Sequence, residues 1–261
     1  MTARHQTIDV RRLTKPVRRH PGHAVQKGSR QDGDVTEPTP DPAPTRDAAG
    51  TSVATPADAW RTLLEGNARF AAGRRHEPEH DLARRAELAN QQRPFALVFG
   101  CGDSRVAAEF VFDQGLGHLF VVRTAGHVVD SGVLGSVEFG VANLAIPLVV
   151  VLGHDSCGAV GATMDAVTDG TLPAGFIRDI VERVTPSVLA AQRQGLTSAD
   201  EIEAEHVRQT VQLLVDRSAV LAAAVREGRC AVVGLVYRLV EGKVSVMETV
   251  GDLPDDVRPA P

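Results

Sequence analysis

From Pro94 onward, short apolar runs alternate with longer stretches in which apolar residues recur every three to four positions. The runs are Phe95–Phe99, His118–Val122, Pro147–Leu152 and Cys230–Tyr237, none with polar alternation. A strand that is apolar on both sides needs cover on both faces, so these four predict a parallel sheet between helical layers. Helical periodicity fills the intervals at 131–144, 157–168, 174–194 and 198–226. A last strand, Lys243–Thr249, follows the turn residues Glu241 and Gly242 and is expected to pair antiparallel at an edge. The fold class is therefore α/β: a mostly parallel central sheet, four parallel strands plus one antiparallel edge strand, flanked by helices.

Upstream of this pattern the chain changes character. Thr55 suits a helix cap, Pro56 the first helical position and Asp58 the electropositive first turn. Trp60, Leu63, Leu64, Phe70 and Ala71 then keep helical spacing through Gly73, and a second helical segment is expected over 82–91 after His80-Asp81. Before Thr55, no pattern of either period persists. Residues 1–30 hold eight basic residues against Asp9 alone; residues 31–50 turn acidic; Pro38-Thr-Pro-Asp-Pro-Ala-Pro44 offers an extended spacer. Arg11-Arg12 resembles the start of a twin-arginine signal, but Pro16, Arg18, Arg19 and His20 stand where an apolar stretch should follow. The expected organisation is a disordered tail over 1–54, a single domain over 55–251, and a flexible C-terminus over 252–261.

Composition narrows the function classes. The 261 residues are 43% hydrophobic with a formal charge of −5, and nothing approaches eighteen consecutive apolar residues. The first 50 residues carry +3 of that balance and leave the body at −8, which gives no case for a specific nucleic-acid partner or a membrane. Three cysteines are too few for a disulfide scaffold and fit a reducing, cytoplasmic setting.

Ligands of open parallel sheets bind at the carboxyl ends of the strands, and the reactive residues fall there. The first run empties into Cys101-Gly-Asp103-Ser-Arg105, the third into Gly153-His154-Asp155-Ser-Cys157-Gly158. If the two strands are neighbours, two thiols, an imidazole and a carboxylate converge. Two thiolates, a neutral imidazole and one oxygen, from Asp103 or water, make the soft four-coordinate set that zinc prefers. A nucleophilic reading of Cys101 with Arg105, as in a phosphatase loop, fails on spacing: three residues intervene where five are needed. Cys230, inside a strand, reads as core, and His76, His80 and His118 as surface. Asp155 is placed to support His154.

The combination Cys-Gly-Asp-Ser-Arg105, Val121-Val-Arg-Thr-Ala-Gly126 and Gly-His-Asp-Ser-Cys-Gly158 resembles the β-class carbonic anhydrases, most closely mycobacterial and actinobacterial members. The resemblance spans roughly 56–250, with Gly102 in place of the usual Ser. It implies one Zn2+ per chain on Cys101, His154 and Cys157, and an Asp103–Arg105 catalytic dyad. The implied reaction is reversible hydration of carbon dioxide to bicarbonate by zinc-activated hydroxide. It also implies a carbon dioxide pocket from Phe120, Ala125 and Phe139, bicarbonate contacts from Gly158 and Gln92, and a homodimer or tetramer in which Gln92 reaches the partner's site. In a closed state Asp103 would leave Arg105 and ligate the metal. A subgroup stabilises that state through a second bicarbonate site built on a Trp; Val98 stands there in this chain, and that site is not expected. His127, where many relatives have Asn, reads either as a proton shuttle or as a helix-start residue with its imidazole satisfied. Two alternatives remain: a carbon disulfide or carbonyl sulfide hydrolase on the same scaffold, and a noncatalytic zinc scaffold, which has no use for the dyad.

Overall fold

A computed structural model describes residues 45–46, 52–76 and 82–254. Its centre is a five-stranded sheet built from β3 (Ala96–Cys101), β4 (Leu119–Thr124), β5 (Leu148–His154), β6 (Ala231–Tyr237) and β7 (Val244–Val250). These lie in the order β4-β3-β5-β6-β7, the first four parallel and β7 antiparallel to β6. Every side chain of β3, β5 and β6 is buried, which is why these runs lack polar alternation. Two further strands, β1 (Thr45–Arg46) and β2 (Ser52–Val53), form a separate two-residue antiparallel pair.

Successive strand residues point to opposite faces, and the core divides accordingly. Ala96 and Val98 pack with Trp60 and Leu63 of α1 (Pro56–Ala71) and with Val111 of α3 (Ala108–Val111), the short helix that follows α2 (Leu82–Leu88). Leu97 and Phe99 pack on the other face. There they meet Val133 and Val137 of α4 (Ser131–Asn143), Val207 and Leu214 of α7 (Ala199–Arg217), and Leu221 of α8 (Ala219–Arg226). A third cluster surrounds the strand ends: Cys101, Cys157, Val160 of α5 (Gly158–Asp169), Val184 and Val188 of α6 (Ile177–Arg193), and Ile202.

Local signals explain the helix boundaries. Thr55 accepts the Asp58 backbone N–H at 3.1 Å with Pro56 next in line, and Ser198 and Glu201 make a reciprocal capping box on α7. The helix expected over 198–226 is instead two. Ser218 takes an extended backbone, closes α7, and turns its hydroxyl to the Leu221 N–H and to Glu138, so that it caps α8. Periodicity runs through the break because both helices pack on one face of the sheet.

Three expectations need correction. The domain starts before Thr55: Val53 is buried in the core, and its strand β2 pairs with β1. Residues 1–44 and 47–51 lie outside the described residues. Packing also outlasts residue 251, because Leu253 is buried in the same cluster. His118 is buried, with its Nδ1 accepting the Gly115 N–H, because it begins the approach to β4 under Phe95. His76 is exposed as expected, and His80 lies outside the described residues. Among the described residues no helix is long and apolar enough to cross a membrane.

Candidate metal centre

The pairing of β3 with β5 brings the two reactive loops together. Cys101 is the last residue of β3, His154 the last of β5, and Cys157 the N-cap of α5. All three are buried, and their ligand atoms lie within 4.8 Å of one another. The His154 Nδ1 lies 2.8 Å from the Asp155 carbonyl oxygen, which can only accept, so Nδ1 carries the proton. That leaves a lone pair on Nε2, which is buried and has no hydrogen-bond partner. An orphaned imidazole nitrogen facing two thiols is the donor set a tetrahedral zinc ion requires, with its tautomer already fixed from behind.

The thiols already show unequal affinity for protons. Cys101 is held far below the ordinary thiol value by hydrogen bonding with Cys157 and with the Gly126 N–H, which together outweigh burial. The same shared hydrogen bond, together with burial, pushes Cys157 up. A metal ion that takes both sulfurs as thiolates releases whatever thiol protons the pair carries.

Beside this cluster the Arg105 guanidinium grips Asp103 at two points, Nε to Oδ1 at 3.0 Å and Nη2 to Oδ2 at 2.7 Å, while the Arg105 N–H adds a third bond to Oδ1 at 2.9 Å. These bonds hold the Asp103 carboxyl well below the usual carboxylate range. Asp103 Oδ2 is 3.9 Å from His154 Nε2, so the paired carboxylate faces the cluster from outside it. The loop itself is clamped from β4. Arg123 donates from Nε to the Cys101 carbonyl at 2.9 Å and from Nη2 to the Asp103 carbonyl, and the Gly102 N–H reaches the Thr124 carbonyl at 2.8 Å.

The underside of the cluster is equally polar but sealed. Glu203 of α7 sends Oε1 to the His154 backbone N–H at 3.1 Å, and burial pushes its carboxyl up to about 8. His206, one turn on, bonds the Gly126 carbonyl through Nε2 and Ser187 through Nδ1. His127 lies between them, fully buried, with its ring centroid 4.3 Å from that of His206 and no hydrogen bond to either nitrogen. Both expectations for His127 therefore change: solvent cannot reach it as a shuttle, and its imidazole is unsatisfied. Burial, and the neighbouring His206 and His154, depress its pKa far below the ordinary value.

The pocket residues divide. Ala125 follows β4 directly, and Gly158 opens α5 next to Cys157; both are exposed beside the cluster. Phe120 pairs in register with Leu97, four residues before Cys101, which puts it about 13 Å down the strand at the usual rise. Phe139 lies against Phe120 at 6.2 Å between centroids, and exposed Gln92 precedes the start of β3. These three are not brought to their own chain's cluster. Asp155 supports His154 as expected, through its backbone carbonyl, while its carboxylate anchors the Leu239 N–H at 3.1 Å. Arg123, Glu203 and His206 were missed. For the last two the signal was present, since polar residues at 203, 206 and 210 share a buried stripe with Ile202, Val207 and Leu214.

Known proteins agree with this picture. Residues 96–244 match the family model described as carbonic anhydrase. The chain is 56% identical over 198 residues to a carbonic anhydrase of Mycolicibacterium smegmatis, covering 76% of this chain and 96% of that one. It is 53% identical over 202 residues to carbonic anhydrase 2 of Mycobacterium tuberculosis, covering 77% and 98%. Among solved structures, a Coccomyxa β-carbonic anhydrase in complex with acetazolamide superposes with a TM-score of 0.57 at 27% identity, covering 72% and 86%.

Proposed function

This chain belongs to the β-class carbonic anhydrases, zinc enzymes that interconvert carbon dioxide and bicarbonate, and we propose that Cys101, His154 and Cys157 hold its metal while Asp103 and Arg105 form its working pair. The observation that carries this reading is the orphaned, buried His154 Nε2 among two thiols, with a bidentate Asp–Arg pair alongside. When bound, zinc supplies the Lewis acidity that makes water a nucleophile near neutral pH.

The chain's own groups do the rest. Asp103, kept ionised by Arg105, can only accept a hydrogen bond, so it takes the proton side of the nucleophile and turns the lone pair toward carbon. Apolar Ala125 borders the space where uncharged carbon dioxide lies. The free N–H of Gly158, at the start of a twelve-residue helix, offers a donor to the oxygen that gains charge. Release of Asp103 from Arg105 would free its carboxylate to serve as a fourth ligand, which is the closed state.

Gln92, Phe120 and Phe139 lie away from their own cluster and serve a partner's site in a homodimer, from which tetramers can be built. Residues 55–251, with the Val53 and Leu253 margins, constitute the catalytic domain, and three free cysteines suit the cytoplasm. Zinc analysis with stopped-flow carbon dioxide hydration tests the reading: one zinc per chain and rapid hydration are expected. A zinc-loaded protein without hydration activity would remove it.

A further inference from the structure

The ladder between β3 and β5 ends at Gly100 and Leu152, while β5 continues for two more residues to His154. The His154 backbone N–H finds no strand to bond on that side. Its acceptor is Glu203 Oε1 at 3.1 Å, from a carboxylate only 1% exposed, on a helix 49 residues further along the chain. Room for it is made by Gly153. A Cβ at that position would stand 2.3 Å from Glu203 Oε1 and 2.5 Å from Val207 Cγ2, so no larger residue fits without displacing the carboxylate. His127 closes the other side, its Nδ1 3.7 Å from the same oxygen. A buried carboxyl group is costly unless its surroundings satisfy it, so one retained under a metal-binding turn calls for a role.

Resting on the metal assignment above, we propose that Glu203 is a positioning residue for the metal: it replaces the missing strand partner and fixes the turn from which His154 and Cys157 bind. The carboxylate never touches the ion. It acts by holding the His154 backbone while Asp155 orients the ring, so the two together remove the freedom that would let the ligands part. Gly153 and His127 define the slot that keeps Glu203 in reach.

The test is zinc release from the full-length enzyme to a chromogenic chelator, followed alongside thermal midpoints of the zinc-loaded and metal-free protein. Glu203→Gln keeps an acceptor and the shape, and release within threefold of the natural protein is expected. Glu203→Met keeps the volume but removes the acceptor, and release at least tenfold faster is expected, in the range found when groups behind metal ligands are lost. Its metal-free midpoint should stay near that of the natural protein while the gain on adding zinc shrinks. The cobalt-substituted Met variant should also show an altered visible spectrum. If Glu203→Met does not fold, Glu203→Asp replaces it; the carboxyl group is kept but drawn back by one methylene, and the same tenfold change is expected. Unchanged zinc release in Met or Asp, or equal losses of stability with and without metal, would overturn the proposal. A natural protein that binds no zinc would instead overturn the metal assignment itself.

Discussion

At the end of β3 the polar groups after Cys101 face outward: the Arg105 side chain is 53% exposed and holds Asp103 at the mouth of the cluster. At the end of β5 the corresponding groups face inward, with His154 and Glu203 at 0% and 1% exposure and His127 packed behind them. Both ends supply metal donors, yet one is arranged to exchange partners and the other to hold still. A partly exposed carboxylate such as that of Asp103 can change between a guanidinium and a metal at less desolvation cost than a fully buried one. A buried backbone N–H bonded to a buried carboxylate cannot be released without leaving both unsatisfied. On the proposed reading, the comparison separates two roles: the Asp103–Arg105 pair on the β3 side would serve turnover, and the buried groups behind His154 on the β5 side would serve retention of the metal.

The strongest way to break this division is to attack attachment directly. Cys157→Ala removes one of three anchors, and loss of both zinc and activity is expected; full zinc occupancy by elemental analysis would refute the ligand set. On the open side, Arg105→Ala should leave zinc in place while carbon dioxide hydration falls about a hundredfold, because Asp103 loses its orientation and is free to reach the metal. Zinc content and stopped-flow rates on one preparation separate the two sides. A variant that loses its zinc would place Arg105 with the attachment groups.

A smaller effect sharpens the boundary. Arg123 bonds the carbonyls of Cys101 and Asp103 but neither side chain. Arg123→Met should lower kcat by about tenfold through a loosened Asp103 while zinc release changes less than twofold. A large change in zinc release with kcat intact would assign Arg123 to the β5 kind of role.

How much of this was legible in the sequence follows the same line. Cys101, Asp103, Arg105, His154 and Cys157 sit in contiguous strand-end motifs, so local spacing carried them. Three of the strands, β3, β5 and β6, were legible because both-face burial leaves unbroken apolar runs. The break at Ser218 was not, since two helices packed on one face keep a common period. Glu203 and His206 share a buried stripe with Ile202 and Val207, a local sign that they face the core, but they lie some 50 residues from His154, and nothing in the sequence says which groups they meet. His127 misled for a related reason: its neighbours in sequence do not reveal that α7 covers it. Phe120 and Phe139 show a further limit, because nothing local in the sequence reveals that Phe120, paired with Leu97, and Phe139 against it lie down the strand from the cluster.

The sealed side also leaves a mark on acid stability, the smallest of the expected effects. Burial depresses the folded-state pKa of His127, and of His206, below the ordinary value of 6.5. Above that value neither the folded nor the unfolded chain takes up a proton at these positions, and stability does not depend on them. As pH falls below it, the unfolded chain binds protons that the folded chain refuses, so the unfolded state gains. At pH 5.5 this amounts to about 1.4 kcal/mol for each histidine that stays neutral. His127→Asn removes one of the two contributions, and Asn tolerates the left-handed backbone that His127 adopts at φ 39°. Urea midpoints at pH 7.5 and 5.5 should therefore fall less with acid in His127→Asn than in the natural protein, whatever the variant does to stability at pH 7.5. Parallel acid losses in the two proteins would mean that His127 is protonated in the folded state, and that the β5 side is less sealed than the β3 comparison requires.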